Sequence, residues 1–74
     1  MIKELNIKDT KQVQHISELA SEAPYKVYLA TDTVMLDARS LLGLYALIGK
    51  RVNVVAADHA NPRSFEKLVS KMES

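Results

Sequence analysis

Apolar and polar residues alternate unevenly along positions 1–8, where Ile2, Leu5 and Ile7 stand among Lys3, Glu4, Asn6 and Lys8. This predicts a first strand covered on one side. The period then changes. Asp9 is placed to cap a helix, and Gln12, three residues on, to complete a capping box. Val13, Ile16, Leu19, Ala20 and Ala23 follow at helical spacing. Pro24 closes that helix, because the residue before a proline avoids the helical region. Residues 25–31 alternate again, with Tyr25, Val27 and Leu29 on one side and Lys26, Tyr28 and Ala30 on the other. Asp32 and Thr33 form a tight turn, and Val34, Met35 and Leu36 a short third strand that completes a hairpin.

Residues 37–49 differ from everything around them. From Leu41 to Ile48 there is no charge and a single hydroxyl, that of Tyr45. Asp37 or Ser40 can cap the start, and Gly49 can end the segment in a left-handed turn. The stretch reads as a short helix that is apolar on every face, which a chain this small cannot wrap completely. Two seams fit the spacing. One buries Leu41, Leu44, Tyr45 and Ile48; the other buries Leu44, Leu47 and Ile48. The first would set a tyrosine hydroxyl against the core, so the second is expected, with Leu41, Leu42 and Tyr45 facing outward.

Residues 50–57 predict the fourth strand, with Val52, Val54 and Ala56 sharing a face. After a loop at Asp58, His59 and Ala60, Asn61 is a cap and Pro62 occupies the first helical position. Phe65, Leu68, Val69 and Met72 form the inner stripe of the last helix. The order is β-α-β-β-α-β-α over one domain, residues 1–74. The predicted class is α+β: an open-faced β-sandwich whose four-stranded, mainly antiparallel sheet carries three helices on one face.

Composition narrows the function classes. At 74 residues the core is marginal, worth about 3–5 kcal/mol of net stability. The chain has no cysteine, which excludes a disulfide framework and a thiolate metal site. Its two histidines lie far apart, a poor basis for zinc, so no metal and no cofactor is expected. Net charge is +1 with scattered Lys and Arg, which argues against nucleic acid as a partner. No apolar run approaches membrane-spanning length and no signal-peptide pattern is present, so the expected location is the cytoplasm.

The order and lengths of the elements are similar to those of the HPr family, the small phosphocarriers of the bacterial sugar phosphotransferase system. Arg39-Ser40-Leu41-Leu42-Gly43-Leu44 resembles the family's regulatory-serine segment, Lys-Ser-Ile/Leu-Met/Phe-Gly-Val/Leu. The match runs without gaps from Asp9 to about Gly49, with Leu19-Ala20-Ser21 and Val27 at like positions, and more loosely through the remaining strand and helix. The departure is equally specific. Family members carry a longer loop before the first helix, ending in Gly-Leu/Ile-His-Ala/Thr-Arg-Pro, whose histidine accepts a phosphoryl group. Aligned back from Ser40, the histidine position holds Asp9, the arginine position Lys11 and the proline position Gln12. An aspartate cap there occupies the helix terminus where a phosphate would sit, and repels one.

The resemblance implies an HPr-like protein without the carrier histidine. It would be a non-enzymatic interaction or regulatory module meeting phosphotransferase-system or regulatory proteins. Its partner surface would be Arg39, Leu41, Leu42 and Tyr45, with Ser40 a regulatory phosphorylation candidate or simply a helix cap. Asp9 and Lys11 would mark the degenerate carrier position. A phosphoryl carrier with a relocated acceptor, His59 or His15, is a second reading, and a self-associating structural module a third. His15 lies about two turns into the first helix, away from the N–H groups of a helix start. His59 precedes a helix N-terminus but has no acid or base near it in sequence. Tyr25 and Tyr28 read as sheet residues. Arg39, Lys50 and Arg51 could form a small basic cluster at the two ends of the central helix, though a solvated surface explains each of them singly.

Overall fold

Val52, Val54 and Ala56 lie on one side of a strand that takes partners on both edges, and that strand holds the architecture together. In the computed structural model, which describes residues 1–73, the elements are β1 (Ile2–Asn6), α1 (Thr10–Glu22), β2 (Val27–Ala30), β3 (Met35–Asp37), α2 (Leu41–Tyr45), β4 (Arg51–Ala56) and α3 (Pro62–Met72). The sheet order is β1-β4-β2-β3, and every pairing is antiparallel. This is the open-faced, four-stranded arrangement with three helices that the pattern predicts.

The pairing register explains which side is covered. Leu5 opposes Val52, Val54 opposes Leu29, and Ala56 opposes Val27, so these residues share one face beneath the helices. With Ile7, Val13, Ile16, Leu44, Phe65, Val69 and Met72 they make a single core, and Leu19 packs against it. The opposite row, Ile2, Val55 and Tyr28, faces outward. Ile2 is therefore exposed, although the alternation counts it among the covered residues. Ile7 is buried but lies beyond the end of β1, its backbone bonded to Gly49 and Lys50.

Several boundaries differ from the pattern. β2 begins at Val27, so Tyr25 is not a strand residue; it sits in the bend after α1, with its hydroxyl 3.2 Å from that of Ser64. β3 is shifted to Met35–Asp37, because Thr31 N–H closes the turn on the Val34 carbonyl at 2.8 Å and leaves Val34 in the connection. Asp9 does cap α1, accepting from the Gln12 N–H at 2.9 Å. The reciprocal half of the capping box is replaced: Gln12 Oε1 accepts from Lys8 N–H at 2.8 Å. Asn61 and Pro62 start α3 as expected, with Asn61 accepting from the N–H groups of Arg63 and Ser64.

The central helix departs most. Only Leu41–Tyr45 is α-helical. From Ala46 onward the N–H groups reach back three residues, Ala46 to Gly43, Leu47 to Leu44 and Ile48 to Tyr45, which is the tighter 3₁₀ pattern. The cause lies at both ends. Asp37 is held in β3 opposite Tyr28, and Ala38 N–H bonds the Val27 carbonyl, so the helix cannot begin at Asp37. Gly49 N–H donates to the Ile7 carbonyl at 2.7 Å, and Gly49 has φ +87°, so the chain leaves through a left-handed turn.

Candidate functional site

The short α2 helix and the turn after it bring Leu44 and Leu47 into the core and leave Leu41, Leu42 and Tyr45 on the surface. Exposure is uneven: 86% for Leu42 but only 38% for Leu41 and 36% for Tyr45. Leu42 is thus the protruding apolar group, flanked by two half-covered neighbours. Ile48 is partly buried against the core. Of the two seams that spacing permits, this is the one that leaves Tyr45 outside the buried core.

Close packing holds α2 in place. A Cβ added to Gly43 would come within 3.0 Å of Leu36 Cδ1 on β3. Ser17 Oγ on α1 donates to the Arg39 carbonyl at 3.1 Å, and the Gly49–Ile7 hydrogen bond anchors the far end. These two ties run the α2 segment antiparallel beside the first half of α1.

At the start of α2 stands a charge pair that periodicity does not reveal. Asp37 Oδ2 accepts from Arg39 Nη2 at 2.8 Å, and Asp37 Oδ1 accepts from Arg39 Nε at 3.1 Å. Oδ1 also accepts from the Arg39 backbone N–H at 2.9 Å. The side-chain and backbone hydrogen bonds from Arg39 hold the Asp37 carboxyl down to about 2. In turn the carboxylate raises the Arg39 guanidinium. Asp37 is therefore occupied with Arg39 and does not cap α2. Ser40 occupies the cap position, but its side chain makes no cap hydrogen bond. Its backbone N–H instead bonds the Asp37 carbonyl at 2.9 Å, closing a turn. The signal available in sequence is an Asp and an Arg two residues apart at the end of a strand.

The other sequence-derived positions fall elsewhere. Asp9, Lys11 and His15 border one shallow depression at the start of α1, with Glu18 and Glu73. His59 is exposed in the loop before α3, beside Arg63 and Lys67 rather than His15. Arg39, Lys50 and Arg51 form no common cluster. Arg39 is engaged by Asp37, while Arg51 pairs with Glu4 at 3.6 Å and Asn6 at 3.4 Å. Among the described residues no three His, Asp or Glu side chains converge on a point that could hold a metal. No helix among them is long and apolar enough to cross a membrane.

No family model and no curated protein matches the chain. Solved structures are similar in shape. HPr-C-His from Thermoanaerobacter tengcongensis superimposes with a TM-score of 0.74 at 20% identity, over 100% of this chain and 90% of that one. The phosphocarrier protein HPr from Bacillus anthracis str. Ames superimposes with a TM-score of 0.73 at 13% identity, over 96% of this chain and 94% of that one. With its β1-β4-β2-β3 antiparallel sheet and three helices, the chain therefore has the HPr-like fold.

Proposed function

We propose that this protein is a non-enzymatic, HPr-like interaction or regulatory module related to the sugar phosphotransferase system, working in the cytoplasm. Its partner surface is the outer face of α2, made by Leu41, Leu42 and Tyr45 beside Arg39. The observation that carries the reading is Leu42, 86% exposed in a segment whose inner leucines, Leu44 on α2 and Leu47 in the turn after it, are buried. A protruding leucine next to a tyrosine and an arginine is the composition of an interface hot spot.

The second half of the proposal concerns what the protein does not do. In the alignment with the HPr pattern, Asp9 stands at the histidine position and Lys11 at the arginine position. Asp9 accepts a hydrogen bond from the Gln12 N–H, so one of the N–H groups that an incoming phosphate would use is already satisfied by a carboxylate. That favours a module without phosphocarrier chemistry. Ser40, with a hydroxyl not engaged in capping, is the regulatory phosphorylation site in this reading. A phosphate there would meet the Arg39 guanidinium only in competition with Asp37.

Incubation with phosphoenolpyruvate and the general phosphotransferase enzymes tests the reading. No acid-labile phosphate should form, and no phosphoimidazole signal should appear by phosphorus NMR. A stoichiometric phosphohistidine at His15 or His59 would replace this proposal with the relocated carrier. For the interaction half, Leu42→Glu should abolish binding to phosphotransferase-system or regulatory partners while the fold persists.

A further inference from the structure

A second surface lies away from α2, in the groove where the C-terminal half of α1 faces α3. The cleft has a volume of about 690 Å³. Leu19, Tyr25 and Leu68, all half-buried, line its apolar part, and the Tyr25–Ser64 hydroxyl contact at 3.2 Å bridges its two walls. Along the α3 rim stand Arg63, Lys67 and Lys71. They fall at four-residue intervals, so they form one stripe about 12 Å long.

The charges of α3 are segregated. Glu66 points to the other side and pairs with Lys3 of β1 at 3.6 Å. The remaining ion pairs among the described residues are Met1–Asp58, Asp37–Arg39 and Glu4–Arg51, so none engages the stripe. The carboxylate lining the cleft is that of Glu22, on the opposite wall. For the isolated domain this arrangement is unfavourable. Like charges four apart on a helix repel, and Arg63 sits in the first turn of α3, at the positive end of the helix. Only Lys71, in the last turn, has the sign that the helix end prefers. The stripe lacks carboxylates, and the groove floor lacks apolar cover.

From this complementarity we propose that the α1–α3 groove docks an acidic segment of a partner protein, one that places carboxylates against Arg63, Lys67 and Lys71 and apolar side chains against Leu19, Tyr25 and Leu68. The apolar side chains are half-buried between two helices rather than protruding, which suits side chains of a polypeptide better than a flat bilayer surface. A line of three cations is also a small footprint for a duplex, which presents charge along both strands. The surface is separate from the α2 face and does not depend on the function proposed for that face.

The test uses the full chain, ¹⁵N-labelled, titrated with a capped 16-residue probe peptide of Glu and Leu at helical spacing, and with its Lys/Leu counterpart. The Glu/Leu peptide should give saturable shifts centred on the amides of Leu19, Tyr25, Ser64 and Leu68, and the Lys/Leu peptide none. The Lys67→Glu, Lys71→Glu double variant should weaken Kd at least tenfold, and Lys26→Glu, outside the groove, should leave it unchanged. Should the reversal disturb the spectrum of the free protein, the Lys67→Gln, Lys71→Gln pair reads the same loss. Shifts centred on Leu42, equal binding of both peptides, no binding, or an unchanged Kd in both double variants would overturn the proposal. So would tighter, Lys67- and Lys71-dependent binding to phosphatidylserine vesicles or duplex DNA.

Discussion

The side-chain amide of Gln12 donates to the main-chain carbonyl of Met72 at 3.0 Å, joining the first turn of α1 to the last turn of α3 across 60 residues of sequence. The same nitrogen donates to the Asn6 carbonyl at 2.9 Å, and the amide oxygen accepts from Lys8 N–H. Gln12 is 5% exposed, the buried polar residue among those described. It satisfies groups on the β1–α1 connection and at the end of α3 together, so its loss strands several of them at once. Gln12→Leu is expected to cost about 2–3 kcal/mol, since each buried group left unpaired costs about 1–3. Urea unfolding measures it; a change below about 0.5 kcal/mol would mean that water replaces the amide.

Leu42 and Leu47 should respond oppositely to the same substitution. Leu42→Glu places a charge in solvent and is expected to change stability by less than about 0.5 kcal/mol. Leu47, 4% exposed, would carry an unpaired charge into the core, and Leu47→Glu should unfold a domain worth only about 3–5 kcal/mol. Thermal unfolding of the two variants decides it, and a collapsed Leu42→Glu protein would contradict the orientation of α2.

The Asp37–Arg39 pair sets an acid dependence. The folded carboxyl titrates near 2, below its ordinary 3.8. A depressed carboxyl contributes stability that is complete above the unfolded value and disappears as pH falls through the folded one. The contribution should therefore be present above about pH 4 and vanish toward pH 2. Both partners are solvent-facing, so it should be small and reduced by salt. Stability of the natural chain against that of Asp37→Asn across this range is the measurement. A difference that persists unchanged to pH 2 would exclude the pair as its source.

Gly49 offers a cleaner backbone test. A Cβ at this position meets nothing within 4 Å, so steric contact with neighbours plays no part. Its φ of +87° nonetheless disfavours any L side chain. Gly49→Ala is expected to destabilise by about 1–2 kcal/mol, and Gly49→Asn by less, because asparagine tolerates the left-handed region. Equal stabilities for all three proteins would mean that the turn has relaxed away from this conformation.

What sequence reveals here follows from the range of the forces involved. The period-two faces of Val27 and Leu29 and of Val52, Val54 and Ala56 are local, and so is the helical spacing of Phe65, Val69 and Met72. All are legible, as is the seam that buries Leu44 and Leu47. The early end of α2 is not legible, because the restraint comes from the Ile7 carbonyl on Gly49. Nor is the role of Gln12: its local partner in a capping box would be the Asp9 N–H, and what it bonds instead is Lys8, Asn6 and Met72. Ser40 misleads for a related reason. Its position suits a cap, but the Asp37 carboxylate and carbonyl have already shaped the turn before it. On the candidate surface, Leu42 can be picked out from spacing, whereas the Asp37–Arg39 pair needs the end of β3 to be located first.

The place of β4 between β1 and β2 has a consequence for how the molecule comes into being. While the chain is being made, β1 emerges first but has no edge to join until Arg51–Ala56 arrives, and until then the β2–β3 hairpin is the only sheet that can form. Closing Ile2 onto Val55 spans more than two-thirds of the 74 residues, and its entropic cost must be met before the pairing returns anything. The apolar faces of α1 and of the hairpin therefore lack their common sheet partner until β4 has been made. The segment from Arg51 to Met72, which carries the central strand and the covering α3, supplies the partner that both of them lack.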